Sequence, residues 1–276
     1  MAIVHSATLQ GSGKHKIVLD YRIPQHAIHA PMLVFLHGFK GFKDWGHFNL
    51  MADWLCNHGI VVLKFNFSMN GTTPEHPVDF ADLEAFGHNT ISTELADTKR
   101  VIDFVEQELE GQYHPGQIYI CGHSRGGGTA ILAAAQDKRI RKLVTWASIS
   151  DFEARFSPAQ IDLWEKEGVV YIPNSRTNQQ MPLYKVLLDD YRANKEQLSI
   201  EKAVKSLKIP YMIFHGELDE TVSYKEAMQL QKWSGAPLDL IPSANHVFGG
   251  KHPYDSEELP RQSHQLLSIM RDFLLD

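Results

Sequence analysis

The stretch YICGHSRGGGTA, residues 119–130, joins an apolar run to four glycines that surround a single serine. The apolar residues before the serine have the composition of a buried strand, and the residues after the glycines are good helix formers. Three interpretations fit such a junction: a plain tight turn, a loop that cradles phosphate, and a strained bend that presents Ser124 as a nucleophile. The rest of the chain distinguishes them.

A phosphate-binding loop is the weakest of the three interpretations. A P-loop requires G-x-x-x-x-G-K-[ST], and no lysine follows the glycines at 126–128. The segment GSGK at 11–14 has Thr8 in place of the first glycine of that motif and His15 in place of its serine or threonine. A dinucleotide-binding G-x-G-x-x-G is not formed either, because residues 122–124 are Gly-His-Ser. We therefore expect no nucleotide cofactor.

The pentapeptide Gly122-His123-Ser124-Arg125-Gly126 matches G-x-S-x-G and lies between a predicted strand and a predicted helix. A serine on so sharp a turn holds a strained backbone conformation, so the residues two positions away on either side must lack side chains. The strain holds the serine Oγ where a base and a substrate both reach it. The pattern is typical of a nucleophile, although the pentapeptide alone does not establish one.

Two candidate partners of a nucleophilic serine follow Ser124 in the chain. They come in the order that is usual for folds with this turn, the acid first and then the histidine. Asp219 comes after the predicted strand YMIFHG, and His246 comes after the predicted strand LDLIPSA. We expect His246 to take the proton of Ser124 and Asp219 to fix the tautomer of the imidazole. These partners favour the nucleophile over the plain turn. Neighbouring acids and histidines remain alternatives for the two roles: Glu217, Glu220, His252 and His264.

A fourth component is expected in the loop after the early strand, in the stretch FLHGFKG. We expect the backbone N–H groups of Phe39 and Arg125 to form an oxyanion hole and Gly38 to permit close approach of the backbone. We interpret His37 as a structural residue that hydrogen-bonds to this loop.

Predicted strands and helices alternate over most of the chain, which predicts an α/β fold whose mostly parallel central sheet carries helices on both faces. An initial hairpin, SATLQ and HKIVLDYRI around the turn GSGK, adds antiparallel strands at one edge. The helical segment 47–59 ends at Gly59, a favoured residue at a helix C-terminus. Residues from about 69 to 88 are predicted as a loop. The helix at 92–110 is expected to begin at a capping Ser92 or Thr93, and a terminal helix is expected over 256–276.

The alternation breaks between about 151 and 206, where helical and strand-like segments interrupt the sheet. We interpret this insertion as a lid within a single domain, 1–276, rather than as a second domain. Its aromatic side chains Trp164, Tyr171 and Tyr184 are candidates for the wall of a substrate pocket. Anchoring of the lid to the body is the alternative role for such residues.

Charge and cysteine content bound the possible partners. The chain has 27 basic and 33 acidic residues, a formal net charge of −6, and no dense basic segment, so neither nucleic acid nor an anionic membrane is an expected partner. The two cysteines cannot form a disulfide framework, and Cys121 is expected to be a buried free thiol. Residues 1–16 do not resemble a signal peptide, and no segment approaches the roughly 20 apolar residues of a membrane span. We expect a soluble cytoplasmic protein whose oligomeric state the sequence leaves open.

A catalytic metal is not expected. The chain has no H-E-x-x-H and no paired-cysteine motif, and the pair His26 and His29 lies in a proline-flanked loop without an evident third ligand. No cofactor is predicted.

The segments HGF at 37–39, GHSRGG at 122–127, HGELDETV at 215–222 and NH at 245–246 resemble those of the α/β-hydrolase superfamily. Within it the chain is most similar to the esterase branch near cinnamoyl and feruloyl esterases, dienelactone-hydrolase-like proteins and the catalytic domains of prolyl-oligopeptidase-type peptidases. The resemblance covers nearly the whole chain. It implies a serine hydrolase acting on small-molecule carboxylic esters through an acyl-enzyme. A peptidase or other acyl hydrolase, and a non-catalytic binding protein, are the alternatives. Arg125 is unusual after the nucleophile, and its side chain is expected either to touch the acyl pocket or to form a salt bridge across the loop.

Overall fold

The computed structural model describes residues 3–25, 30–174 and 176–276. The helices and strands within these ranges follow the predicted alternation. The strands are β1 (Ile3–Gln10), β2 (Lys16–Ile23), β3 (Met32–Leu36), β4 (Val61–Asn66), β5 (Ile118–His123), β6 (Ile140–Trp146), β7 (Val169–Asn174), β8 (Gln179–Tyr184), β9 (Tyr211–Gly216) and β10 (Leu238–Ile241). The helices are α1 (Phe48–Asn57), α2 (Leu83–His88), α3 (Ile91–Glu108), α4 (Arg125–Gln136), α5 (Pro158–Glu167), α6 (Val186–Ala193), α7 (Ile200–Ser206), α8 (Tyr224–Ser234) and α9 (Arg261–Leu275).

Eight of the strands form one sheet in the order β1-β2-β4-β3-β5-β6-β9-β10. The hairpin β1–β2 is antiparallel, and β2 pairs with β4 in antiparallel fashion. The other pairs, β4–β3, β3–β5, β5–β6, β6–β9 and β9–β10, are parallel. Because parallel strands end at the same edge, the loops after β3, β5, β9 and β10 lie along one side of the sheet. The predicted mostly parallel sheet with an antiparallel edge is confirmed.

The sheet has an apolar layer on each face. In β3, Met32, Val34 and Leu36 belong to one buried cluster, while Leu33 and Phe35 belong to the other. Helices α3, α4, α7 and α8 supply the first cluster, and α1 and α9 supply the second. A strand covered on both faces needs apolar residues at every position, which explains its uninterrupted apolar sequence.

Three predicted boundaries were wrong. Helix α3 is capped by Thr90, two residues before Ser92 and three before Thr93, because the side chain of Thr90 accepts a hydrogen bond from the backbone N–H of Thr93 at 3.1 Å. The predicted loop between 69 and 88 contains α2, capped by Asp82. The terminal helix begins only at Arg261, since Pro260 keeps the residue before it out of the helical conformation.

The segment 151–206 connects β6 to β9 and has its own elements. It contains a short 3₁₀ turn at Glu153–Arg155, α5, the antiparallel hairpin β7–β8, α6 and α7. The buried residues of α6 and α7 join the apolar cluster of the main body, and β8 packs against α2. The segment is therefore attached to the body at several points.

Two further observations complete the fold. Cys56 and Cys121 are both buried and free, as predicted for Cys121. In the described residues, no helix combines the length and apolar character that crossing a membrane requires.

Candidate active site

Ser124 lies at the sharp turn between β5 and α4. Its backbone has φ 57° and ψ −122°, a conformation that is strained for a residue with a side chain. A Cβ on Gly126 would collide with the carbonyl oxygens of Leu36 and His37, and a Cβ on Gly122 would collide with the backbone of Gly126. Both positions therefore require glycine, because a side chain at either one would prevent the turn from packing against the neighbouring backbone.

Three loops bring a serine, a histidine and an aspartate into one hydrogen-bonded chain. The Oγ of Ser124, after β5, lies 3.0 Å from Nε2 of His246, which follows β10. Nδ1 of the same imidazole lies 2.8 Å from Oδ2 of Asp219, which follows β9. Both distances are within normal hydrogen-bonding range. Ser124, His246 and Asp219, the three residues predicted from the sequence, are therefore connected by hydrogen bonds, with His246 in the middle.

The carboxylate of Asp219 is buried and accepts three hydrogen bonds, and a further imidazole, that of His215, lies close to it. Oδ1 accepts the backbone N–H groups of Thr221 and Val222, each at 2.8 Å. Oδ2 receives His246 and lies 3.2 Å from Nε2 of His215. Burial opposes ionisation of Asp219, but the hydrogen bonds from His215 and His246 outweigh it and lower the pKa of this carboxyl well below its ordinary value. Asp219 is consequently an ionised acceptor throughout the neutral range.

The alternative acids and histidines take no part in this chain of hydrogen bonds. Glu217 accepts the backbone N–H of Ser243 at 3.2 Å, and Glu220 is exposed. His252 accepts the N–H of Gly46 at 2.9 Å, and His264 packs edge-on against Trp54. Only Asp219 and His246, of the candidates considered, are in line with Ser124.

Two histidines near the relay were not identified from the sequence. His215 is the second imidazole on Asp219. His123 lies beside Ser124, and burial lowers its pKa to about 3, so its neutral ring donates through Nε2–H to the carbonyl of His246 at 2.9 Å. A histidine at the end of β5 and another at the end of β9 were visible signals, because both strands end at the edge where the relay lies. Their partners are set by packing across strands.

The predicted oxyanion residues lie beside the nucleophile. Arg125 is the first residue of α4, where the backbone N–H has no acceptor within the helix. Phe39 follows Gly38, and a Cβ on Gly38 would lie 2.9 Å from Cβ of Ser124, so the two loops are in close contact. His37 is buried; its Nδ1–H donates to the carbonyl of Gly38 at 2.9 Å, in the structural role expected for it. The assignment of the two amides to an oxyanion remains a prediction.

A cavity of about 380 Å³ opens above Ser124 and His246. Its wall includes Phe39 and Arg125 and is otherwise largely apolar, with contributions from the body and from the segment 151–206: Ile91, Ile149, Phe152, Phe156, Leu183 and Leu187. Two other surface cavities, of about 400 and 610 Å³, lie around α3 and contain none of the predicted site residues. Of these three cavities, the one at Ser124 is the one lined by predicted site residues.

Of the three aromatic residues predicted for the pocket, the structure places only Trp164 on its wall, where Nε1–H donates to the carbonyl of Leu183 at 2.7 Å. Tyr171 is 59% exposed, and the side chain of Tyr184 packs on Gly87 and donates to Glu84 at 2.7 Å. The placements of Tyr171 and Tyr184 were wrong because successive residues of a strand point to opposite faces. Their strand neighbours Ile172 and Leu183 line the cavity instead.

The side chain of Arg125 shows both of the expected features. Its Nη2 lies 3.0 Å from Oε1 of Glu94, and its guanidinium lies 5.3 Å from the centre of the Phe39 ring. The same side chain belongs to the cavity wall. Arg125 is thus held in a fixed position at the edge of the site.

Metal binding has no support among the described residues, which contain no group of three or more histidine, cysteine, aspartate or glutamate side chains able to hold an ion. The pair His26 and His29 lies outside the described residues.

The sheet order and the position of the relay at the carboxyl ends of parallel strands define an α/β-hydrolase fold. Solved structures agree: the ferulic-acid-bound form of Est1E from Butyrivibrio proteoclasticus aligns over 98% of each chain with a TM-score of 0.74 and 18% identity. An acylaminoacyl peptidase from Pyrococcus horikoshii aligns over 99% of this chain and 41% of its own, with a TM-score of 0.70 and 16% identity.

A model of the BD-FAE family matches residues 77–234, more than half of the chain. The chain belongs to the BD-FAE family. Among curated proteins, it is 24% identical over 258 residues to an uncharacterised 31.7 kDa protein of the traX-finO intergenic region of Escherichia coli. That match covers 87% of this chain and 82% of the relative.

Proposed function

We propose that the protein is a serine hydrolase that cleaves carboxylic esters through an acyl-enzyme formed on Ser124. The observation that carries the proposal is the unbroken chain of hydrogen bonds from Ser124 Oγ to His246 at 3.0 Å and from His246 to Asp219 at 2.8 Å. A serine hydroxyl is a weak nucleophile unless an adjacent base accepts its proton, and this arrangement supplies the base and fixes its orientation.

The reaction follows from the positions of these groups. Ser124 Oγ attacks the ester carbonyl while its proton moves to Nε2 of His246, and Asp219 stabilises the resulting imidazolium. The backbone N–H groups of Phe39 and Arg125 stabilise the oxyanion. The C–O bond breaks, His246 returns the proton to the leaving alcohol, and an acyl ester remains on Ser124. A water molecule then attacks the acyl carbonyl while His246 takes its proton. The bond between the acyl group and Ser124 Oγ breaks, the acid is released, and His246 returns the proton to Ser124.

The segment 151–206 acts as a lid in this proposal. It supplies Trp164, Leu183 and Leu187 to the wall above Ser124, so it shields the reacting carbonyl from water. It belongs to the same domain as the sheet, since its helices share the apolar cluster of the body.

Esters are favoured over peptides because the wall is mainly apolar and because the neighbour Est1E was solved with ferulic acid bound. The likeness to an acylaminoacyl peptidase supports the alternative, an amide-cleaving enzyme with the same relay. We further propose that the protein acts in the cytoplasm on a small molecule, without a nucleic-acid or membrane partner. The formal charge of −6 and the two buried free thiols support this setting.

A fluorophosphonate probe tests the nucleophile. We expect the wild-type protein to be labelled at Ser124 and Ser124→Ala to remain unlabelled and to lose ester hydrolysis by about 10⁴-fold or more. Equal labelling of the two proteins contradicts the assignment, and an unlabelled wild type with no hydrolysis favours the non-catalytic alternative. A panel of p-nitrophenyl esters, methyl hydroxycinnamates and aminoacyl amides then separates esterase from peptidase. Strong amide cleavage with weak ester cleavage would establish the peptidase.

A further inference from the structure

The wall of the cavity above Ser124 carries three cationic side chains, Lys40, Arg125 and Arg155. Among the described residues that line it, none is an aspartate or a glutamate. An apolar cavity with an excess of positive charge is unusual for a site that accepts only neutral esters, because each cation loses hydration there without gaining a substrate contact. The charge on the wall therefore bears on what the cavity binds.

Two of the three cations form ion pairs with carboxylates that do not line the cavity. Arg125 forms an ion pair with the buried carboxylate of Glu94, and Arg155 forms one with Glu226. Arg125 nevertheless keeps an unused donor: its Nη2 lies 3.0 Å from Glu94 out of hydrogen-bond alignment, is buried and has no hydrogen-bond acceptor within the described residues. These pairs hold the two arginines in place and leave little net charge.

Lys40 is the cation without such compensation. Its Nζ donates to the backbone carbonyl of Pro173 on β7 at 3.3 Å, and no carboxylate of the described residues lies within ion-pair distance of it. Burial lowers the pKa of Lys40, and no neighbouring acid opposes that shift. An anion placed beside Nζ would recover the lost electrostatic stabilisation. Lys40 also follows Phe39, whose amide we assign to the oxyanion, so an anion bound there lies near the reacting carbonyl.

We propose that the cavity selects esters that carry an anionic group, a carboxylate or a phosphate, and that Lys40 Nζ pairs with that group. The proposal rests on the ester hydrolysis proposed above. Arg125 lines the same cavity, but its ion pair with Glu94 leaves Lys40 as the uncompensated positive charge on the wall. The contact between Lys40 and Pro173 shows that Nζ already reaches across from the loop after β3 to the lid, which is where a group attached to a bound ester would lie.

Matched substrates isolate the charge. Monobenzyl esters of dicarboxylic acids with four to eight carbons carry an anionic end, and the corresponding ω-carboxamides have the same shape without the charge. A second pair, butyryl glycerol 3-phosphate and butyryl glycerol, places the anion on the alcohol side. We expect kcat/KM for the better anionic pair to exceed that of its neutral partner by about tenfold or more, the range of a charge-assisted hydrogen bond. The pair that shows the preference identifies which side of the ester carries the anion.

Variants of Lys40 connect this preference to one side chain. Lys40→Met should lower the anionic-to-neutral ratio of kcat/KM about tenfold, and Lys40→Arg, which keeps the charge, should retain most of it. Lys208→Met is the matched control, because Lys208 is exposed and precedes β9, at the end of that strand opposite to Asp219. This control should keep the wild-type ratio. A ratio that also falls with added salt in the wild type supports an ion pair.

The outcomes separate this proposal from ester hydrolysis itself. Hydrolysis of both members of each pair at equal rates, or an unchanged ratio in Lys40→Met, overturns the anion preference while leaving the esterase intact and assigns Lys40 to holding the lid. If the wild type hydrolyses no ester, the same pairs are titrated against the wild type and Lys40→Met with tryptophan fluorescence. Tighter binding of the anionic member that is lost in Lys40→Met then supports the anion site alone, and equal binding rejects it.

Discussion

Two imidazoles, those of His215 and His246, lie beside Oδ2 of Asp219. Nε2 of His215 lies 2.8 Å from the carbonyl of Val222 and 3.2 Å from Oδ2 of Asp219. The ring is fully buried and does not reach the cavity. In the proposed mechanism His215 is a positioning residue, which acts on His246 through Asp219.

Removal of this donor should impair turnover without weakening substrate binding. We expect His215→Leu to lower kcat about tenfold, the loss associated with one hydrogen bond to a charged group, with KM nearly unchanged. The pKa of Asp219 should rise in this variant, so activity should be lost at a higher pH on the acid side. His215→Gln keeps an N–H donor and should retain activity within about threefold. Equal impairment of the two variants, with equal thermal stability, would contradict the positioning role. Steady-state kinetics from pH 4 to 8 make the comparison.

The junction of β5 and α4 is an element in which conformation and packing depend on each other. Ser124 has a positive φ, and Gly126, two residues later, packs against the carbonyls of Leu36 and His37 at the end of β3. The conformation of Ser124 and this close helix–strand contact therefore occur in one short segment. Gly128 lies two residues further along α4, where a Cβ would meet side chains instead of backbone: Ile200 and Phe152 at 2.9 Å and Ile149 at 3.3 Å. Two glycines of one helix thus have different reasons to be glycine.

These two glycines give a matched pair of substitutions. Gly126→Ala forces a shift against backbone and should lower the free energy of unfolding by about 1–3 kcal/mol. In Gly128→Ala, small displacements of side chains rather than of backbone relieve the contact and alanine favours the helix by about 1 kcal/mol, so the net loss should be smaller. Urea denaturation of both variants tests the difference. A Gly126→Ala protein as stable as Gly128→Ala would show that β3 and α4 are not tightly packed at this point.

Element types were more predictable than their edges and faces. The strand–turn–helix at Ser124 was predictable because a G-x-S-x-G between an apolar run and a small-residue run has few other solutions. The face of the strands β7 and β8 was not, because alternation fixes which residues share a side but not which side meets the cavity. That is why Tyr171 and Tyr184 do not line the cavity, whereas Trp164, which lies on α5, does. Thr90 was missed as a cap because three nearby serine and threonine residues all fit the pattern.

At the scale of the whole molecule, the interior contains ionisable groups that the fold keeps neutral or pairs. Burial lowers the pKa of His37 and of His47 to about 4 and that of His123 to about 3. Lys64 lies fully buried in the apolar run of β4, where its Nζ lies 2.7 Å from Asp44 and 3.5 Å from Asp20. A sequence pattern identifies such a strand but not the partners, which come from another strand and a distant loop.

The three neutral histidines predict a loss of stability in weak acid. Below pH 6.5 they take up protons in the unfolded chain but not in the folded protein, so the free energy of unfolding should fall as the pH falls from about 6.5 toward 4. Each contributes up to about 1.4 kcal/mol per pH unit. Chemical denaturation at a series of pH values measures the slope, and His47→Gln should reduce it by about one such contribution. A free energy of unfolding that is constant between pH 6.5 and 4.5 would contradict this account.

The hydrogen-bonded residues Ser124, His246 and Asp219 follow different strands of the sheet. His246 follows β10, the shortest strand among the described residues. β10 has four residues and, within the part of the chain that the structure describes, pairs only with β9 at the edge of the sheet. His246 follows it by five residues. Ser124, in contrast, follows β5, which lies between β3 and β6 in the interior of the sheet. Opening of one edge is far easier than global unfolding. If His246 and Ser124 act as proposed, fraying at this margin separates the base from the nucleophile, and the rate of ester hydrolysis would report the integrity of the margin rather than of the central fold.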